Sequence, residues 1–337
     1  VVVEDHDIHA DVSVNCGSRE STMQTSATDP RTMAGSRTGG AVRPTFGPRL
    51  RMPGGLARCV LLAFALVLTA CSTIKLGYEN LPRLAVWQAD SYLSLDDDQE
   101  AALNRHAKAL QRWHRQEQLP VYAEFLRRTE EQLTGQVTDE QVAEWRRTVL
   151  TAWPPLADRL APAVAEIGVG LRPEQLAHLQ QVLAKANEKA ARDYLPADPA
   201  KRVEARIRRL TDRAESFLGD VSDAQRQLIR RSARTMTVNE DAWWQVRLAR
   251  QKSVLDLLAY LSREKPAADV ATRRSRQMLG SLFGAPAGAL DAPLAASSGD
   301  GDRLTVQLLA LSTPEQKRNA IRRLTGYRED FSLLAAR

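Results

Sequence analysis

The chain is short of the residues that build most recognisable sites. Its 337 residues hold three cysteines, five histidines and 5% aromatic side chains. Cysteines at 16, 59 and 71 alone exclude a disulfide-stapled framework and a cysteine-rich zinc module. There is no glycine-rich phosphate loop, no His-Glu-x-x-His pair and no Gly-x-Ser-x-Gly elbow. No apolar run reaches the ~20 residues of a membrane-spanning helix. No stretch alternates apolar and polar residues as a half-buried strand would. These absences remove the common nucleotide-binding, metallohydrolase and serine-hydrolase classes, and they leave no local pattern for a metal or a cofactor.

What is present begins with Arg58-Cys59-Val60-Leu61-Leu62-Ala63-Phe64-Ala65-Leu66-Val67-Leu68-Thr69-Ala70-Cys71. A basic residue precedes an unbroken apolar run, then small residues, then cysteine. The length fits the ~7–15-residue core of a signal peptide. A buried helix would carry polar residues on one face, whereas residues 59–70 offer only Thr69. The closing Leu68-Thr69-Ala70-Cys71 resembles a bacterial lipobox. That resemblance implies cleavage between Ala70 and Cys71 and lipidation of Cys71, palmitate included. Ser72 stands where an aspartate would imply inner-membrane retention. The expected destination is therefore the outer membrane of a Gram-negative envelope, lipid-anchored on its periplasmic face.

The expected organisation follows from this signal. Residues 1–51, rich in Ser, Thr, Gly, Arg and Asp and without periodicity, are read as an over-extended or disordered leader ahead of a start at Met52. Residues 52–70 are the signal peptide and 71–79 a lipidated tether. A helical domain spans 80–265, a mobile, linker-like segment 266–302, and a C-terminal helical segment 303–337. The chain is basic, with 47 Lys and Arg against 41 Asp and Glu. Export turns that excess away from nucleic acid and towards anionic lipid or an acidic envelope protein.

Helix starts recur through the domain. Asp96-Asp97-Asp98-Gln99, Thr138-Asp139-Glu140-Gln141, Ser222-Asp223-Ala224-Gln225 and Thr313-Pro314-Glu315-Gln316 each place a short polar cap before acids, with glutamine three residues on. Arg172-Pro173-Glu174-Gln175 is a partial copy. Val137 with Val142 and Leu171 with Leu176 have the spacing of a hydrophobic staple. Asn80 is a further cap ahead of Pro82. Helices are predicted over 96–134, 138–167, 173–195, 199–219, 222–236, 240–264 and 314–335, with Pro120 and Pro154-Pro155 kinking or breaking theirs. The expected fold is all-α: a bundle of long, mostly antiparallel helices behind the lipoprotein signal. Leu84 and Trp87 have core spacing, although an amphipathic ring near a bilayer is the alternative for Trp87.

Two features suggest binding. Arg202, Arg206, Arg209 and Arg213 line one helix face and could hold anionic groups, with Arg230, Arg231 and Arg234 as a second cluster. The simpler reading is a solvated face partnered by Glu204, Asp212 and Glu215. Trp243 and Trp244 lie about 100° apart on one helix, so both cannot face one core centre. His106, His114 and His178 read as surface or boundary residues, and Asp96–Asp98 as a capping turn rather than a cation site.

The residues also resemble known families. Ile74-Lys75-Leu76-Gly77-Tyr78-Glu79-Asn80-Leu81-Pro82, Trp87, Leu95-Asp96-Asp97-Asp98-Gln99, Trp113-His114, Leu119-Pro120, Leu171–Gln175 and Leu183-Ala184-Lys185-Ala186-Asn187 resemble a proteobacterial lipoprotein family of unassigned function, domain-of-unknown-function family 6279, over roughly 68–262. Val137–Gln141 and Val221–Gln225 resemble the Leu-Thr-x-x-Gln motif of small periplasmic chaperones. Neither resemblance supplies catalytic residues. The expected function is that of a non-enzymatic, outer-membrane-anchored lipoprotein acting as a binding or chaperone-like envelope component, without a cofactor. The alternative is an envelope hydrolase whose carboxylates, such as Glu124 and Glu166, meet only in three dimensions.

Overall fold

Each repeated helix start closes as a capping box. In the computed structural model, which describes residues 72–237, 240–282 and 291–337, the Asp96 carboxylate accepts from the Gln99 amide at 3.0 Å while Gln99 Oε1 accepts from the Asp96 amide at 3.0 Å. Thr138 with Gln141, Ser222 with Gln225 and Thr313 with Gln316 repeat the exchange. At Arg172 only the glutamine half forms, because a guanidinium has no acceptor to offer. Asn80 departs from expectation: its side chain donates back to Leu76 O at 2.8 Å instead of capping forwards.

The resulting helices are α1 (Ser72–Glu79), α2 (Leu81–Leu93), α3 (Asp97–Trp113), a π segment (His114–Gln118), α4 (Leu119–Leu133), α5 (Asp139–Leu150), α6 (Trp153–Gly170), α7 (Pro173–Tyr194), α8 (Pro199–Leu218), α9 (Asp223–Thr235), α10 (Glu240–Glu264), α11 (Ala268–Leu282), α12 (Asp291–Ala310) and α13 (Pro314–Ala335). Among the described residues there is no strand, and the fold is all-α. Pro120 does not break the predicted 96–134 helix. A proline ring clashes with the carbonyl four residues back. The chain absorbs this by widening one turn, so that the Leu119 amide reaches His114 O. Pro154 and Pro155 do break theirs, and α6 starts afresh with both prolines in its first turn.

Two sets of helices share two sets of cores. In the first region α2, α3, α6, α7, α10 and α11 bury Ala102, Ile167, Leu171, Leu179 and Leu258, with Ala161, Leu261, Ala271 and Leu279 in adjoining clusters. Small residues let α6 run close to its neighbours: a Cβ on Gly168 would lie 2.6 Å from Leu261 Cδ1. In the second region α4, α5, α8, α9, α12 and α13 bury Leu133, Val142, Leu218, Ala320 and Leu324, and beside them Ala214, Ile229, Leu304 and Leu308. Both expected staples pack within these cores.

The linker-like reading of 266–302 is corrected wherever that stretch is described. It holds α11, which buries Ala271 and Leu279, and the first part of α12. Alanine in place of longer side chains does not prevent a helix; alanine is the strongest helix former. Residues 283–290 lie outside the described residues. Nor is the C-terminal helix separate: α13 packs on α4 and α8 and contributes to their core. All these cores lie within Cys71–Arg337, which falls in one compact unit.

Candidate functional site

The arginine stripe does not face open solvent. On α8, Arg202 Nε donates to Pro196 O at 2.7 Å, and its Nη1 lies 3.4 Å from Asp241. Arg206 donates to Ala233 O at 2.5 Å and pairs with Glu240 at the start of α10, both side chains being nearly buried (11% and 12% exposed). Arg209 lies 4.8 Å over the ring of Tyr194, at the end of α7. Arg213 stands one turn further on. The acids expected to solvate this face do not all do so: Glu215 pairs with Arg226 of α9 at 2.8 Å. Arg230, Arg231 and Arg234 are exposed on α9, where Arg231 lines a separate concavity of about 530 Å³ with Leu228 and Leu311.

Tyr194 is where the two sequence features meet. Its ring is 5.3 Å from that of Trp243, which is 6.4 Å from Trp244. Both tryptophans are half-buried, and Arg247, one turn on, lies 6.0 Å from each ring. The Arg247 Nε donates to Asn187 Oδ1 at 3.1 Å, and Asn187 exchanges hydrogen bonds with Gln251. Arg209 and Arg247 thus flank three rings on α7 and α10. Burial pulls the Arg209 guanidinium below its ordinary value, and the neighbouring charges of Arg206 and Arg208 pull the same way. A guanidinium has a very high intrinsic pKa and stays charged, so a partly desolvated cation is held beside aromatic surface. Such an arrangement suits an anionic group carried on an apolar or planar body. Sequence spacing gave the arginines and the tryptophans separately; Tyr194, Asn187 and Arg247 join them only through helix packing.

The other candidates are placed apart from this cluster. His106 Nε2 is 2.7 Å from Glu166, which also pairs with Arg105 at 2.9 Å. Nearby, His106, Leu110, Asp158, Arg159 and Arg276 line a concavity of about 440 Å³, with Asp158 and Arg276 paired at 2.9 Å. Glu124 instead engages Arg127 and Arg128 of its own helix, and the Arg127 hydrogen bond holds its carboxyl below the usual range. Glu124 and Glu166 therefore serve different partners. His114 is half-buried and meets the Tyr78 hydroxyl at 3.0 Å, while His178 lies near Ser91 O on the exposed side of α7. Asp96 caps α3 and pairs with Arg172 at 2.5 Å. Its carboxyl is held low by the Gln99 backbone amide and the Arg172 guanidinium. Among the described residues no group of three or more His, Cys, Asp or Glu is disposed to hold a metal, and no helix is long and apolar enough to cross a membrane.

Ala70 and Cys71, the expected cleavage and lipidation sites, lie outside the described residues. Core placement is corrected for two residues just after them: Leu84 is 43% and Trp87 51% exposed. Their helical spacing is real, but Pro82 and Tyr92 take the inward face of α2. The π segment was also missed; Pro120 was its one visible signal.

No curated protein and no solved structure matches the chain. A family model matches residues 91–278, which is more than half of the chain and contains the whole Arg209–Tyr194–Trp243–Trp244–Arg247 cluster. The chain belongs to the family described as a family of unknown function, DUF6279.

Proposed function

We propose that this protein is a non-enzymatic envelope lipoprotein, lipidated at Cys71 after cleavage behind Ala70 and held on the periplasmic face of the outer membrane. There it binds an anionic envelope component, a protein or a lipid, at the arginine–aromatic cluster. The observation that carries the binding role is the convergence of Arg209, Trp243 and Arg247 around Tyr194. Guanidinium groups match the geometry of a carboxylate or phosphate, and the rings supply apolar area with little conformational entropy to lose. Arg206, locked to Glu240 and Ala233 O, sets the register of α8 against α10 and is support rather than contact. A chaperone-like role is one version of this reading and draws on the Leu-Thr-x-x-Gln resemblance.

A hydrolase built from carboxylates on separate helices is the weaker reading. A general acid needs a raised pKa, and Glu124 is pushed the other way by Arg127. Glu166 is shared between Arg105 and His106.

The test is photocrosslinking in cells from a benzoylphenylalanine at position 244 of the full chain. Adducts should form, and should fall at least about tenfold in an Arg209→Gln/Arg247→Gln variant, if each lost charge-assisted contact weakens binding by ~1.5 kcal/mol. Equal adducts from both proteins would remove the basis for the binding site. Metabolic labelling with a fatty-acid analogue, wild type against Cys71→Ala, tests the anchor separately.

A further inference from the structure

The first helical stretch keeps apolar side chains where a folded chain normally hides them. Leu76, Leu84 and Trp87 are 61%, 43% and 51% exposed. They belong to one face. Backbone bonds bridge the junction of α1 and α2, where Asn80 departs from helical dihedrals (φ −92°, ψ 5°): the Asn80 amide reaches Leu76 O at 3.2 Å and the Leu84 amide reaches Asn80 O at 3.0 Å. At ~100° per residue the three side chains fall within roughly 80° of arc. Arg83 lies about 20° outside that arc, beside Leu76, and is exposed.

The opposite face is fully engaged. The Tyr78 hydroxyl meets His114, Pro82 is buried and Tyr92 packs against the core of the first region. Lys75 and Glu79, at the edge, pair with Asp330 of α13 and with Arg337 just beyond it. The stretch is therefore clamped to the body by one face and presents leucine, tryptophan and arginine on the other.

What precedes this face indicates what covers it. The uncharged apolar run 59–70 ends at Cys71, and α1 begins at the next residue. No spacer intervenes, so the face starts within two turns of the point where the chain meets the membrane. Sixteen residues of helix carry it to Trp87, ~24 Å further along. Tryptophan and arginine at this position fit the headgroup zone, where an amphipathic ring and a cation near anionic lipid are both favoured.

We infer that the exposed Leu76–Leu84–Trp87 face lies flat on the lipid surface, with Arg83 among anionic headgroups. This rests on the anchor reading, and it adds that the body is docked in a fixed orientation rather than swinging on its tether. Because the opposite face is clamped to α3 and α13, docking would also fix how the arginine–aromatic cluster is presented to the periplasm.

The experiment uses residues 71–337, where Cys71 is the only cysteine. Its thiol is coupled to a maleimide lipid in phosphatidylglycerol–phosphatidylethanolamine vesicles, which supplies the anchor whether or not the cell does. Brominated acyl chains should quench part of the tryptophan emission. That part should vanish in Trp87→Phe and in Leu84→Glu, while the exposed-site control Val149→Glu should quench like wild type. Thermal unfolding should be unchanged, because the altered side chains are exposed. No quenching in wild type, or equal quenching in Trp87→Phe or Leu84→Glu, overturns the inference. So does self-association of uncoupled protein that Trp87→Glu abolishes, since a second copy would then cover the face. None of these outcomes depends on lipidation at Cys71, which fatty-acid labelling tests alone.

Discussion

The two regions of the molecule are each locked by a pair of helix starts joined through buried glutamines, and the pairs are not equally made. In the first region Gln99 and Gln175 exchange amide hydrogen bonds at 3.2 and 2.8 Å. Gln99 also donates to Gly170 O and Gln175 to Ser94 O, in each case the carbonyl two residues before the partner's cap. The junction is therefore symmetric. In the second region Gln225 and Gln316 exchange bonds at 3.1 and 2.9 Å, and Gln316 donates to Asp220 O, again two before the cap. Gln225 breaks the pattern. Its amide is shared between Leu308 O and the Ser312 hydroxyl at 3.4 and 3.3 Å. Leu311, whose carbonyl symmetry would have used, follows the last residue of α12 and is 48% exposed.

The difference shows how one residue serves two levels of structure. Glutamine at the third helical position closes its own cap through Oε1 and leaves Nε2 free to donate across to another helix. Gln141 uses the same local chemistry but is only half-buried, so its start remains a local device. The family match contains both glutamines of the symmetric junction and only Gln225 of the other.

The largest expected effect comes from breaking the two junctions at their most buried members. Gln175 is 2% and Gln225 0% exposed. Gln175→Ala strands the Arg172 amide and Ser94 O, while Gln99 keeps Gly170 O and the Asp96 amide, and should cost about 3 kcal/mol in urea unfolding at ~1–3 kcal/mol per unsatisfied group. Gln225→Ala should cost about 2 kcal/mol, because Ser312 Oγ already donates to Leu308 O at 2.8 Å and keeps that carbonyl satisfied. Equal losses would mean that the symmetry of the junction carries no energy. A Gln99→Ala/Gln175→Ala cycle should show a coupling of at least ~0.5 kcal/mol.

A smaller effect isolates the asymmetry itself. Ser312→Ala removes the hydroxyl that stands in for the missing carbonyl, and should cost about 1 kcal/mol in wild type but much less in a Gln225→Ala background. If the two losses simply add, Ser312 is a helix-end residue and not part of the junction.

Much of this was legible in the chain, but only at one level. The boxes at Asp96, Thr138, Ser222 and Thr313 were readable because a cap and its glutamine are three residues apart. Their pairing was not: Gln99 meets Gln175 and Gln225 meets Gln316 across long separations that local chemistry does not encode. The same limit explains the candidate site. Arg209 and Trp243 each showed helical spacing, whereas Tyr194 sits at a helix end with no periodicity to mark it. Trp87 was misplaced for the converse reason: its spacing to Leu84 describes a face, and spacing alone does not say whether that face turns inward. In 266–302 composition does not decide, since its alanines suit a helix as well as a linker.

The smallest expected effect lies at the joint between the regions, in the π segment. His114 there accepts from, or shares a proton with, the Tyr78 hydroxyl at 3.0 Å, and its ring meets Tyr122 edge-on at 5.4 Å. Tyr122 in turn contacts Phe331 of α13, so this one imidazole touches the N-terminal helix, α4 and, through Tyr122, the C-terminal helix. Burial holds its pKa below the ordinary 6.5. The unfolded chain therefore binds a proton that the folded one refuses, from pH 6.5 downward to the folded value. Where the unfolded state binds more protons, stability falls as pH falls. Unfolding free energies of wild type and His114→Gln should be compared at pH 7.5 and 5.5. All other groups are common to both proteins and cancel in the difference. The advantage of wild type over the variant should shrink on acidification. A gap that widened instead would mean that His114 is stabilised as a cation, and that the joint is held by charge rather than by the neutral ring packed between Tyr78 and Tyr122.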